Sequence, residues 1–587
     1  MAETGARVRR DKPNGSQEAG ISMKEMALWN YADWAALIAT IVLAAFLVVG
    51  GWAITRPKPE VFGHPKGLYM LFFAEMWERF SFYGMRALLT LYLVKHWLFS
   101  DGTANLIYGA YGSLVYIMPV LGGWLADRYL GQRKAVLFGA VLLTVGHFFM
   151  AFEGDGSGYQ NDPTLNVFWL ALAFIIVGSG FLKANISVLV GQLYPRTDIR
   201  RDGAYTIFYM GINLGAATGV LIAAYLGETI GWAYGFGLAG IGMLLGLIVF
   251  VFGKPLLLGN GEPPSPARLQ QSVGGMKLEW FLYAVGVASV GLIWLLIQYQ
   301  SVVGWLLLIS GAALLLYVLR EAFKLDNHAR DRVFAMIFLI LLMPVFWGLF
   351  EQAGGSINLF TDRYVDRGGI PTTFFQSVNP IIIILLAPVF AGLWQWLARK
   401  GWEPSTPAKM GLGIVQMGLA FIVLVWGANT DTAALVPVLF LFLFYLLSTT
   451  GELSLSPVGL SAINRLSARH MASLMMAAFF FGTAGGNYVA GFLGSLMGEG
   501  EGGNMTREAA LDVYWTMGLF AIGIGVFVML VSPLVKKLMH LDTLRDDNVG
   551  DDLHGLPQAG LENQEAGLHP SAAGQAPGVH PQNRPAT

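Results

Sequence analysis

Apolar stretches of about 20 residues, enough for a helix to cross roughly 30 Å of hydrocarbon, recur along most of this 587-residue chain. The first runs from Asp33 to Ile54 and ends at Arg56, Pro57, Lys58 and Pro59. Six more are predicted near 68–98, 104–126, 134–153, 165–189, 203–226 and 231–252, followed by a linker rich in Gly and Pro from Gly253 to Gln271. Two plainer spans follow near 279–299 and 302–323. Another six lie near 332–356, 373–398, 408–428, 433–462, 471–497 and 508–535. Beyond Lys536 and Lys537 the tail is rich in Gly, Pro, Asp and Gln, a composition that predicts disorder.

Positive charge orients the spans, because cytoplasmic loops keep Lys and Arg. Arg128, Arg133 and Lys134 follow the second core span, and Arg196, Arg200 and Arg201 the fourth. Arg399, Lys400 and Lys409 follow the eighth, Arg465 and Arg469 the tenth. The alternate loops are acidic or neutral, with Arg363 and Arg367 diluted by Asp362 and Asp366. The expected fold class is an all-α polytopic membrane protein: two six-helix bundles, an inserted two-helix hairpin and one extra N-terminal transmembrane helix. It divides into a polar tail (1–30), the extra helix (31–60), an N-terminal bundle (61–252), a cytoplasmic linker (253–278), the hairpin (279–325), a C-terminal bundle (326–538) and a disordered tail (539–587). If the extra helix spans, residues 1–30 lie outside, against the charge rule. A signal peptide is disfavoured, since no small-residue cleavage site precedes Arg56.

Composition narrows the function. The chain is 55% hydrophobic and 13% charged, against about 25% charged in soluble domains. No single soluble core could bury that much apolar surface. A net charge of −1 gives no field for nucleic acid. The lack of cysteine excludes disulfides, thiol catalysis and cysteine metal sites. A membrane-embedded enzyme would need a metal set or a nucleophile–base pair. Three of the nine histidines lie in the tail (His554, His569, His580), and none forms a His-x-x-x-His pair. A non-transporting sensor would want a folded terminal domain, for which neither terminus is long enough. No cofactor is expected beyond protons as coupling ion.

The most informative stretch is Glu75-Met-Trp-Glu78-Arg79-Phe80-Ser81-Phe82-Tyr83-Gly84-Met85-Arg86. At 3.6 residues per turn, Glu75, Glu78, Arg79, Phe82, Tyr83 and Arg86 share one side of the first core helix. Each charge at mid-bilayer costs about 2.5–3.5 kcal/mol on insertion scales, so these groups should face a wet cavity and pair. Lys183, Glu351 and Glu452 recur at membrane depth on other spans. Arg86–Glu351 and Lys183–Glu452 would each join one half to the other. Protonating the glutamate would remove the attraction and let the halves part. Taken singly, each charge could be a satisfied interior residue; together they favour a proton-coupled pathway. Asn213 and Asn379 add polar groups, while Pro344, Pro380, Pro388 and Pro457 should interrupt helices and free carbonyls. Gly211, Gly215 and Gly219 read as a ridge for close helix packing.

At these residues the chain resembles the proton-dependent oligopeptide transporter family of the major facilitator superfamily, over about Phe62 to Lys537. The resemblance rests on Glu75-x-x-Glu78-Arg79-Phe80, on Gly122-Gly-Trp-Leu-Ala-Asp127-Arg128-Tyr-Leu-Gly131, and on Phe208-Tyr209-x-x-Ile212-Asn213-x-Gly215. It implies a proton-coupled symporter of the inner membrane, expected to act as a monomer in the lipid bilayer, that imports di- and tripeptides by alternating access. It further implies that Arg79 and Lys183 hold the peptide carboxylate. Glu452, Asn213 and Asn379 would hold the amino end, and Tyr83 and Tyr116 line side-chain pockets. Glu75, Glu78, Arg86 and Glu351 would serve proton coupling and gating. Three positions depart from the family pattern: Phe82 for a tyrosine, Phe479 for a tryptophan and Ala184 for a proline. The leading helix lies outside that pattern. A carrier of nitrate or a drug on the same fold is the alternative, and Lys183 opposite Glu452 argues for a zwitterion over a simple anion.

Overall fold

The computed structural model describes residues 31–543 apart from 56–58, 155–158, 196–197, 199, 432–433, 469–470 and 499–502. Both terminal tails, and Arg56, Pro57, Lys58, Arg196 and Arg469 of the charge pattern, lie outside the described residues. The described chain is helical save for three two-stranded pairings. Its long helices are α1 (Tyr31–Thr55), α2 (Lys66–Lys95), α3 (Asp101–Leu125), α4 (Gln132–Met150), α5 (Leu165–Gln192), α6 (Arg200–Thr218) and α7 (Trp232–Phe252). The hairpin is α8 (Leu278–Gln298) and α9 (Gln300–Ala322). The second half holds α10 (Asn327–Phe350), the short α11 (Ser356–Tyr364), α12 (Val378–Arg399), α13 (Thr406–Asn429), α14 (Val438–Leu466), α15 (Ala472–Ser495) and α16 (Arg507–Leu538).

Among the described residues, thirteen segments are long and apolar enough to cross a bilayer. Adding α2 and α15 completes the expected order of one, six, two and six spans. Composition misses those two for physical reasons: α2 carries the Glu75–Arg86 constellation, and α15 is diluted by glycines and Asn487. Each half has its own apolar core, around Leu88, Tyr92 and Phe168 in the first and Met336, Phe421 and Tyr514 in the second. Glycines let the helices approach backbone to backbone. A Cβ at Gly215 would fall 2.2 Å from the Met76 carbonyl oxygen, and one at Gly219 2.3 Å from that of Phe80, so α6 lies directly on α2.

Four features differ from the expected pattern or sharpen it. The seventh core span is not continuous: a 3₁₀ turn at Glu351–Ala353 separates α10 from α11. Pro380 does not interrupt its helix, because it sits in the first turn of α12, where a missing N–H has no intrahelical partner to lose. Pro344, Pro388 and Pro457 do lie inside helices, as does Pro119, which the sequence reading passed over. The linker is built rather than loose. It forms a 3₁₀ turn, a short helix and a strand pair. It docks on the start of α4, where Arg133 reaches Glu262 through Nε (2.8 Å) and Nη2 (2.9 Å). That guanidinium holds the Glu262 carboxyl below the usual carboxylate range.

The charge rule makes the ends of α2 and α3 near residues 95–101 external. There the first half presents carboxylates to donors of the second. Asp101 is buried and accepts from Arg363 Nη1 and Nη2 (2.5 and 2.8 Å) and from the Met505 backbone N–H (2.5 Å). Glu228 accepts from the backbone N–H groups of Thr372 (2.7 Å) and Thr373 (2.9 Å) and from the Thr373 hydroxyl (2.9 Å). Lys95 bridges to Asp362 at 2.8 Å. At the cytoplasmic end Arg200 ties the start of α6 to the start of α2, meeting Glu60 (3.1 Å), the Gly63 carbonyl (2.8 Å) and Asp198 (2.8 Å).

Hydrogen bonds to charged groups contribute about 1.5–3 kcal/mol each, so the external latch biases the molecule toward closure on that side. The test uses the absence of native cysteine. A single cysteine at Ala216, which lines the space between the halves, should react about tenfold faster with an impermeant maleimide added outside when Asp101→Asn and Glu228→Gln are combined. Unchanged outside labelling would show that these carboxylates do not hold the door.

Candidate functional site

Of the ionisable residues singled out in the sequence, Tyr83, Arg86, Tyr116, Glu351 and Glu452 converge between the halves, while Glu75, Glu78, Arg79 and Lys183 are buried outside the space they line. The first core helix is continuous and regular, so Glu75, Glu78 and Arg79 project from adjacent turns. Their residues are only 1, 1 and 2% exposed. Arg79 Nε lies 2.7 Å from Glu75 Oε1 and 3.2 Å from Glu78 Oε2, so one cation is shared by two carboxylates. Lys183, 5% exposed on α5, places its ammonium 3.6 Å from the centroid of the Phe82 ring and 5.8 Å from that of Tyr116. A buried ammonium over an aromatic face gains from the ring quadrupole. Phe82, one of the departures from the family pattern, therefore contributes its π face to Lys183.

Two turns further along α2, Arg86 makes the contact that joins the halves. Its Nη2 donates to Glu351 Oε2, and its Nε donates to the Tyr108 hydroxyl at 2.7 Å. That hydroxyl in turn donates to Glu351 Oε2 at 3.1 Å. Glu351 is itself 2% exposed and stands at the 3₁₀ turn that ends α10. The expected Arg86–Glu351 pair is thus present, with Tyr108 as a third member that the sequence reading missed. Its signal was faint: Tyr108, Tyr111 and Tyr116 share one span, and spacing alone does not say which meets Arg86.

On the facing side, Asn379 Nδ2 donates to Glu452 Oε2 (2.7 Å) and to the Thr449 hydroxyl (3.0 Å), which fixes the carboxylate between α12 and α14. Asn213 donates to the Tyr209 carbonyl at 3.2 Å, one turn back on α6. A central cavity of about 80 Å³ lies between these groups. Tyr83, Arg86, Tyr116 and Asn213 face it from the first half, and Glu351, Asn379 and Glu452 from the second. Glu75, Glu78, Arg79 and Lys183 are buried outside that wall, Lys183 reaching it by way of Tyr116. Trp347, Tyr445, Ser448 and Gln376 also line it and were not singled out from sequence. All four sit in apolar spans, where an aromatic, a serine or a single glutamine reads as ordinary packing.

The cavity holds only a few water-sized volumes. Below it, Ile383, Ala387 and Leu453 pack with Tyr209, Leu386 and Phe390 into an apolar constriction. Beyond that constriction a second space of about 460 Å³ opens among Trp394, Arg399, Lys409 and Arg465, residues of the cytoplasmic ends of α12, α13 and α14. A polar chamber is therefore closed by charged contacts above and by apolar side chains below. Such an arrangement can enclose a small dipolar solute.

Comparison with known proteins places this geometry. A model of the POT family matches residues 133–507. A peptide transporter, YePEPT, of Yersinia enterocolitica subsp. palearctica is 36% identical over 82% of this chain and 96% of its own length. A dipeptide and tripeptide permease A of Edwardsiella piscicida is 30% identical over the same shares. An uncharacterized transporter, YclF, of Bacillus subtilis is 36% identical over 82% of this chain and 96% of its own. Among solved structures, a peptide transporter POT in complex with sulfate superposes with a TM-score of 0.72 at 34% identity, covering 83% of this chain and 98% of that one. With its two six-helix bundles, its buried charge set and these matches, the chain belongs to the POT family and is a multi-pass peptide transporter of the inner membrane, proton-coupled as that family is.

Proposed function

We propose that the chain imports di- and tripeptides by alternating access, with Arg79 and Lys183 taking the peptide carboxylate and Glu452, Asn213 and Asn379 its amino end. The observation that carries this reading is the distribution of charge between the halves, with Glu452 on the chamber wall and Arg79 and Lys183 buried behind it on α2 and α5. The buried cations belong to the first half, and the Glu452 carboxylate, steadied by Asn379, belongs to the second. A zwitterion about two residues long has opposite charges at its ends, so binding it draws the halves together. Tyr83 and Tyr116 form walls that tolerate varied side chains. Two relatives named for peptide transport and one for di- and tripeptides support the same choice.

Protons enter as the coupling ion, and no other cofactor is invoked. A proton taken up by the Glu351 carboxylate neutralises it and loosens Arg86, so that the first half can rotate away. Glu75 and Glu78 set the charge around Arg79 and thereby its availability to the peptide. Moving one charge across about 100 mV releases roughly 2.3 kcal/mol, and one pH unit adds about 1.4 kcal/mol. One proton per peptide then sustains an accumulation of a few hundredfold.

In liposomes with an acidic exterior, Glu351→Gln should abolish accumulation of a labelled dipeptide while preserving part of the gradient-free exchange. Equal accumulation by both proteins would remove Glu351 from coupling. Unlabelled dialanine should suppress uptake of the label, and its failure to compete would refute the peptide reading. Lys183→Ala deletes one of two cations offered to the carboxylate. It should raise the half-saturating dipeptide concentration at least about tenfold, since losing a charged hydrogen bond costs 1.5–3 kcal/mol.

A further inference from the structure

The leading helix α1 has no counterpart in the family pattern that the sequence resembles, yet it touches the transport site's framework. Trp34 and Trp52, 42% and 46% exposed, stand 18 residues apart, about 27 Å along a helix. That spacing matches the two interfacial belts where tryptophan collects. The external end of α1 is fixed by a hydrogen bond from the Tyr225 hydroxyl to Asp33. Midway, Leu43 is buried among Phe72, Phe73, Met76, Trp77 and Phe80 of α2 together with Leu214 and Ala223 of the fifth core span. Phe46 stacks on Phe72 with centroids 6.2 Å apart. Nearer the cytoplasm, Gly50 lets the α1 backbone lie on the Phe73 ring, where a Cβ would fall 1.8 Å from ring carbon Cε2.

Three of these α2 residues share a face, while Phe72 and Met76 lie at the seam with α6. At 100° per residue, Phe73, Trp77 and Phe80 point away from Glu75, Arg79 and Arg86 on the same helix. The α2–α6 seam that α1 covers is the one in which Gly215 lies on Met76, with a built Cβ only 2.9 Å from Arg79 Cβ. Nothing larger than a hydrogen separates the two helices there, so their spacing sets how far Arg79 stands from Asn213. The Arg200 contacts pin this pair at its cytoplasmic end only.

We propose that α1 is a positioning element for the transport site: a wedge on the lipid side that holds α2 against α6 and so keeps Arg79 in register with Asn213. The substrate part of this inference rests on the peptide reading above. Lipid chains would cover the same apolar surface without fixing a distance, whereas a helix anchored at Asp33 and seated at Gly50 fixes one.

The test is Gly50→Val, which drives a side chain into Phe73, alongside Gly50→Val with Phe73→Ala, which gives that volume back. In the full chain, Gly50→Val should raise the dipeptide KM about tenfold with kcat within about twofold, as misplacing a binding group does, and the double variant should recover it. A second measurement does not depend on the solute. Spin labels on Leu98→Cys and Ile230→Cys, at the external ends of α2 and of the segment that continues α6, should give a broader distance distribution in Gly50→Val and a narrow one in the double variant. Should Gly50→Val not fold, Leu43→Ala is judged by the same two readouts. A changed melting temperature with unaltered KM and unaltered label distances would overturn the proposal, leaving α1 an anchor. So would a raised KM that the double variant fails to recover. If the parent protein takes up no dipeptide while the label distances respond as expected, the peptide reading fails and the positioning role stands.

Discussion

Everything in this molecule is arranged around an ion pair that bridges two bodies at membrane depth. Arg86 and Glu351 come from different halves, and both are largely withdrawn from water. Desolvating such a pair costs about as much as its attraction returns, so it adds little to stability. What it adds is dependence: either half alone would hold an uncompensated charge in an apolar setting, at a cost of several kcal/mol. The halves therefore stay together while both charges exist and lose that reason when one is neutralised. Tyr108 sharpens the effect by bonding to both members, so the pair has a defined geometry to lose.

The two ends of the chamber are sealed by different physics. Outside, the seal is polar and directional, with Asp101 and Glu228 of the first half inserted into N–H and hydroxyl donors of the second. Such contacts hold at one distance and fail abruptly, and water can replace them once the gap opens. Inside, the constriction of Ile383, Ala387, Leu453 and Tyr209 is apolar. It is non-directional and can slide, with no hydrogen bond to break. A door of the first kind stays shut until its charges are answered; one of the second kind yields to movement of α12 against α6.

Much of this was legible in the sequence, and the reasons are specific. The spans follow from length and hydropathy, α2 among them despite the charges that fall on one side of it. Arg86 with Glu351 followed from opposite signs at similar depth. The positions that escaped share a property: in sequence they look like ordinary membrane residues. Tyr108 is one of three tyrosines in a span, Trp347 and Tyr445 are aromatics in apolar runs, and Gly261 and Glu262 sit in what reads as a flexible linker. Only the fold brings Glu262 to Arg133 across 129 residues. The break after α10 escaped for the same reason, since Glu351-Gln-Ala-Gly354-Gly355 at the end of an apolar run suggests a loop as readily as a turn within a span. Pro380 was misread because a proline's effect depends on its place in the helix, and the start of α12 lay a few residues from where hydropathy put it.

That break gives the ion pair its leverage. A charge fixed to the middle of an unbroken helix can move only if the whole helix moves. Glu351 instead begins a 3₁₀ turn followed by Gly354 and Gly355, and the next helix restarts at Ser356. The bonds that hold the chain there include Gly354 N–H to the Glu351 carbonyl at 3.2 Å and Thr90 Oγ1 to the Gly354 carbonyl at 2.7 Å. The second of these comes from the opposite half, four residues beyond Arg86. The segment that carries Glu351 is bound to α2 by the Arg86 ion pair, by Thr90 and by Asn358 Nδ2, which donates to the Ala87 carbonyl at 3.1 Å, and to its own half by Gln352 Nε2, which donates to the Ala490 carbonyl at 2.8 Å. Under the proposed coupling, loss of the ionic contact would leave only neutral bonds and the Lys95–Asp362 bridge between this segment and α2. Under the proposed coupling, a proton at Glu351 needs no long relay to reach the latch, because Glu351 and Arg363, the partner of Asp101, stand on the two sides of the same break.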